Sequence, residues 1–105
     1  MAHVTDDDLD LDAILADLRI LVEIESPSRD VDALTRSADA LANLIERRLG
    51  TRPKLVDGPD GPHVPWSGGG DPKVLLLGHH DTVFPLGTLA RRPFEVDDGC
   101  VRGPG

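Results

Sequence analysis

A chain of 105 residues makes at most one small domain, within the usual span of about 50–250 residues. Apolar residues are 39% and charged residues 29% of the chain, a globular rather than a disordered composition. The formal net charge of −8 argues against nucleic acid, which selects basic surfaces, and equally against an anionic membrane surface.

Residues 9–24 read as a helix. Leu11, Ile14, Leu15, Leu18, Leu21 and Val22 form one apolar stripe at helical spacing. Thr5 or Asp8 can cap its start, and the acidic run Asp6, Asp7, Asp8, Asp10 and Asp12 suits a helix N-terminus. Ser26-Pro27-Ser28 ends the helix, because Pro27 disfavours helical geometry at Ser26. Residues 31–49 read as a second helix, with Leu34, Ala38, Leu41, Ile45 and Leu49 on one face. Ser28 or Asp30 caps it, and Gly50 sits where a left-handed terminal residue belongs.

After Gly50 the period changes. Arg52 to Asp57 and His63 to Trp66 are expected as short strands, joined by the turn-rich Asp57-Gly58-Pro59-Asp60-Gly61-Pro62. Pro65 confines the second to an edge. Ser67-Gly68-Gly69-Gly70-Asp71 is a flexible turn; no Lys-Ser/Thr follows, so it is not a phosphate cradle. Lys73 to Gly78 is expected as a strand buried on both faces, since Val74-Leu75-Leu76-Leu77 shows no alternation. Residues 84–93 read as a loop. Phe94-Glu95-Val96 and Cys100-Val101-Arg102 flank Asp97-Asp98-Gly99, a hairpin signal. With only Trp66, Phe84 and Phe94 as aromatics, the core is expected to be thin, with Trp66 as a cover over it. The fold class is α/β: two amino-terminal helices followed by short strands of a mixed sheet.

The apolar run ends in Gly78-His79-His80-Asp81-Thr82-Val83. In extended chain His79 and Asp81 leave on the same face. An imidazole can ligate a metal through one nitrogen while a carboxylate fixes the other. On spacing alone the alternative is a polar strand end, with a solvated histidine and a turn-forming aspartate. His80 points to the opposite face as a structural or pocket-lining residue. His3 and His63 read as surface histidines. Cys100 beside Asp97 and Asp98 reads as a semi-buried hairpin thiol or as a second ligand cluster. No glutamate is compellingly placed as a base; Glu95 sits in a hairpin context. As the only cysteine, Cys100 allows no intrachain disulfide, so a reducing cytoplasm is expected. The acidic start lacks a signal-peptide h-region, and no apolar run approaches the roughly 18 residues of a membrane span.

Gly78-His79-His80-Asp81-Thr82-Val83, then Phe84-Pro85-Leu86-Gly87, Pro93-Phe94, Asp98-Gly99 and Arg102-Gly103-Pro104-Gly105, resembles a family of co-catalytic zinc exopeptidases. That family comprises glutamate carboxypeptidase, aminoacylase, acetylornithine deacetylase and succinyl-diaminopimelate desuccinylase. Leu21 to Ser28 is similar to its first helix and following loop, so the resemblance covers about residues 12–105. It implies that residues 1–105 are the start of a zinc-exopeptidase catalytic domain. It implies that His79 is a metal ligand and Asp81 the carboxylate that clamps it. It implies two zinc ions in the complete enzyme, with cobalt or manganese able to substitute, and a small peptide or N-acyl amino acid as substrate. The family's bridging aspartate comes just after a Gly-x-Gly such as Gly103-Pro104-Gly105, where this chain ends. The remaining ligands, the general-base glutamate and the lid domain would lie outside these residues, and the chain alone is expected to be inactive. The alternative is a non-catalytic α/β binding module that works through an uncovered sheet edge. An open edge along Val74 to Leu77 is also a template for self-association.

Overall fold

The computed structural model describes residues 3–105. Two helices come first, α1 (Leu11–Val22) and α2 (Val31–Leu49). A single turn, α3 (Thr88–Arg91), and a hairpin of β1 (Glu95–Asp97) and β2 (Cys100–Arg102) follow. The expected α/β order of two helices and then short strands is borne out.

Local chemistry accounts for the helix ends. The cap of α1 is Asp10, whose Oδ1 accepts from the Ala13 amide at 3.1 Å. The expected caps serve a separate 3-10 turn at Asp6–Asp8 instead: the Asp8 carboxylate accepts from both the amide and the hydroxyl of Thr5. A carboxylate reaches only two or three residues ahead, so the aspartate nearest the first periodic leucine wins. Asp30 caps α2 through the Ala33 amide at 3.0 Å. Gly50 closes it with φ +84°, a conformation that costs glycine little.

The core lies along α2. Ala33, Leu34, Ala38, Ala42, Leu44 and Phe94 are its buried apolar residues. The alanines let α1 approach, and Arg48 of α2 forks onto Asp17 of α1 at 2.8 and 3.0 Å. That guanidinium holds the Asp17 carboxyl below its usual range. Arg19 of α1 stacks over Phe94 at 4.6 Å. Gly103 passes close by; a Cβ there would stand 3.0 Å from Val22 Cγ1. The hairpin turns at Asp98 and Gly99, with φ +47° and +74°, and pairs Glu95 with Arg102 and Asp97 with Cys100. Both central residues have positive φ, the geometry that matches strand twist in a two-residue turn.

The chain departs from expectation between the helices and the hairpin. Arg52 to Asp57 and His63 to Trp66 meet at one isolated antiparallel bridge, Val56 with His63, and Pro27 with Thr82 makes a parallel one. Lys73 to Gly78 is not buried. Val74, Leu75, Leu76 and Leu77 are 80–90% exposed and belong to no strand ladder among the described residues. Two covered faces need a layer on each side, and α1 and α2 supply neither. A turn with Gly69 and Gly70 both at positive φ precedes the segment. Trp66 lies on the same exposed stretch at 44% exposure and covers no core. The stripe on α1 is likewise open, with Leu11, Ile14 and Leu18 exposed. The result is spread out: the Cα radius of gyration is 15.4 Å, against about 13 Å for a closed domain of this length.

Candidate functional site

Helix α1 ends, and the chain turns through Ser26-Pro27-Ser28 before α2 starts. This short connection is laced to residues 80–82. Thr82 donates its amide to Ser26 O, and the Ser28 amide donates to Thr82 O, each at 2.8 Å. The Ser26 hydroxyl donates to His80 O at 2.7 Å. Three bonds thus fix the backbone that carries the His-x-Asp triplet against the start of α2. Main-chain groups held in pairs give side chains a fixed origin.

On that backbone the two histidines are used differently. His79 Nδ1 lies 3.0 Å from both Asp81 Oδ1 and Asp81 O. Both oxygens are acceptors, so Nδ1 carries the hydrogen, and in the neutral form of the ring the lone pair is on Nε2. The ring is largely exposed. The Ser28 hydroxyl donates to the other carboxylate oxygen, Asp81 Oδ2, at 2.6 Å. That bond, aided by the one from His79 and opposed by desolvation, holds the Asp81 carboxyl below its usual range. His80 is committed at both ends. Its Nε2 faces Pro62 O at 3.4 Å, and its Nδ1 accepts from the Ser37 hydroxyl at 3.1 Å. His80 is therefore the half-buried structural histidine, and His79 the one with a free nitrogen.

His79, His80 and Asp81 open into a groove of about 1310 Å³. Leu18, Leu21 and Val22 of α1 and Leu34 of α2 form its apolar wall. Pro104 and Gly105 reach it from the far end of the chain; a Cβ on Gly105 would stand 2.9 Å from Thr82 Cγ2. The groove floor is shaped by Glu25, whose carboxylate accepts from the amides of Gly87 and Leu89 at 2.9–3.1 Å. These amides, Leu89 first, depress the Glu25 pKa.

The other sequence candidates stay apart from this place. Cys100 is exposed rather than semi-buried, because its hairpin packs nothing over that face. His3 and His63 are exposed, as expected. Among the described residues no three His, Cys, Asp or Glu side chains converge as a metal-binding group. One ligand-like nitrogen, that of His79, has a clamped ring behind it. In the sequence Ser28 and Glu25 stand out only as part of the Leu21 to Ser28 stretch, with Ser28 as a helix stop or cap and no site role given to either; the partner of Ser28, Asp81, is 53 residues away. Among the described residues no helix is long and apolar enough to cross a membrane.

Carboxypeptidase G2 of Pseudomonas sp. (strain RS-16) is 32% identical to this chain over 98 residues. The match takes in 89% of this chain and 23% of that protein, so the chain spans under a quarter of the relative's length. No family model matches the chain. No solved structure matches it.

Proposed function

We propose that this chain is the amino-terminal part of the catalytic domain of a metal-dependent hydrolase that cleaves amide or peptide bonds, an exopeptidase or N-acyl-amino-acid deacylase of the zinc-exopeptidase type. The observation that carries this reading is the His79–Asp81 pair, with Nδ1 tied back and Nε2 free at the mouth of a groove. The similarity to a carboxypeptidase supports it. The donor chemistry fits zinc, with cobalt or manganese as substitutes: a neutral imidazole oriented by a carboxylate is a common ligand for such ions. Bound there, such ions would polarise a carbonyl and acidify a water.

In this reading His79 binds and Asp81 fixes its ring. Leu18, Leu21 and Leu34 give the groove an apolar side. Gly103-Pro104-Gly105 brings Gly105 beside Thr82. The substrate class is a small peptide or N-acyl amino acid, and the exposed free thiol of Cys100 suits a reducing cytoplasm.

A catalytic zinc normally has three protein ligands, and the described residues bring one to this place. The 105-residue chain, given zinc or cobalt, is therefore expected to show no turnover of N-acyl amino acids or of peptides ending in glutamate. Metal-dependent turnover that disappears in His79→Ala would overturn this ligand count.

A further inference from the structure

We propose that Ser28 is a positioning residue for His79, acting through Asp81. The inference rests on the reading of His79 as a metal ligand and adds a third group behind it. The Asp81 carboxylate meets His79 with one oxygen and Ser28 with the other, at 3.0 and 2.6 Å. A carboxylate held at one oxygen still turns about its terminal torsion, which is broad and roughly two-fold. A second anchor on the other oxygen fixes its plane, and with it the direction of the His79 ring.

An anchor is needed here because the pair is wet. The His79 and Asp81 side chains are 84% and 41% exposed, and an exposed pair holds itself together weakly. Ser28 is itself well fixed. Its amide donates to Thr82 O, and the following turn closes with Asp30 N on Pro27 O at 3.1 Å. Its single hydroxyl hydrogen has two acceptors in reach, Asp81 Oδ2 at 2.6 Å and Thr82 O at 3.0 Å. The shorter bond, to an ionised group, is the stronger. Loss of the hydroxyl leaves all main-chain bonds between 26–28 and 80–82 intact, so positioning and folding are separable at this residue.

The test uses the metal-free 105-residue chain at one fixed, mildly alkaline pH, with ¹⁵N-labelled histidine. In the wild type His79 is expected predominantly as the Nδ1–H tautomer, and Asp81 in one χ1 rotamer. In Ser28→Ala the His79 tautomer ratio is expected to move toward that of exposed His3, the Asp81 main-chain oxygen keeping part of the preference, and the Asp81 couplings to average. In uniformly ¹⁵N-labelled chains the amides of residue 28 and Thr82 keep their protection from hydrogen exchange, which shows that the backbone connection survives. Ser28→Thr restores the wild-type ratio. A Ser28→Ala chain that keeps the wild-type tautomer and Asp81 rotamer would overturn the proposal, as would failure of Ser28→Thr to restore them. No metal is present in these measurements. Zinc titration of the wild type therefore reports separately on whether His79 is a ligand at all.

Discussion

Both Leu34 and Leu76 are expected from the sequence to be covered, Leu34 on the apolar face of a helix and Leu76 in the run Val74 to Leu77. The structure separates them sharply, at 4% and 90% exposed. Leu34 lies against the backbone of Gly61, whose added Cβ would stand 3.0 Å from Leu34 Cδ1. Leu→Ala at a buried site costs about 2–5 kcal/mol. Leu34 borders the open groove, so water and neighbours can partly fill the gap, and about 2–3 kcal/mol is expected. A chain of this size with a thin core has about 5 kcal/mol in total, so Leu34→Ala removes roughly half. In urea titrations followed by circular dichroism the midpoint should fall by about half with the slope unchanged. Leu76→Ala should stay within about 0.5 kcal/mol of wild type. Equal losses for the two variants would show that the 74–77 segment is packed, and a loss under about 1 kcal/mol at Leu34 would remove α2 from the centre of the core.

Two further outcomes follow from the same geometry. The amides of Gly87 and Leu89 should be protected from hydrogen exchange while the Glu25 carboxylate is ionised. Because the folded Glu25 pKa is depressed, this contribution is full above the unfolded pKa and is lost as pH falls through the folded one; exchange protection that persists below the depressed value, or in Glu25→Ala, would contradict it. The bare Val74–Leu77 segment should make the chain self-associate as its concentration rises, and Leu76→Lys should return a monomer by size-exclusion chromatography with light scattering; a wild type that is monomeric at every concentration would refute the open-edge account.

Both long helices were legible because their apolar spacing is written locally, and Asp30 and Gly50 mark the ends of α2; the cap of α1 is not the expected Thr5 or Asp8, because Asp10 stands closer to the first periodic leucine. The hairpin was legible for the same reason, since Asp98-Gly99 sets its turn locally. The Lys73–Gly78 segment was not, because burial is a property of neighbouring layers and not of Val-Leu-Leu-Leu itself. The same holds for Trp66 and Cys100, where side-chain type suggested cover that no facing element provides. At the site, the pairing of His79 with Asp81 was readable from a two-residue spacing. The division of labour between His79 and His80 was not, because it depends on Ser37 and Pro62, 43 and 18 residues from His80. Ser28 and Glu25 were hidden for the same reason: a hydroxyl or carboxylate that meets its partner across 53 or more residues leaves no periodic trace.

The central claim is that His79 offers a free, oriented Nε2 to a metal ion while the other histidines do not. Zinc titration of the ¹⁵N-labelled chain, with the four imidazoles resolved, tests it most directly. The His79 ring signals should move first and furthest, with Nε2 the affected nitrogen. Binding should be weak, as one well-placed ligand dictates, and this response should vanish in His79→Ala. Equal response at His3 or His63 would contradict the claim, as would tight binding that survives His79→Ala and maps to Asp97, Asp98 and Cys100.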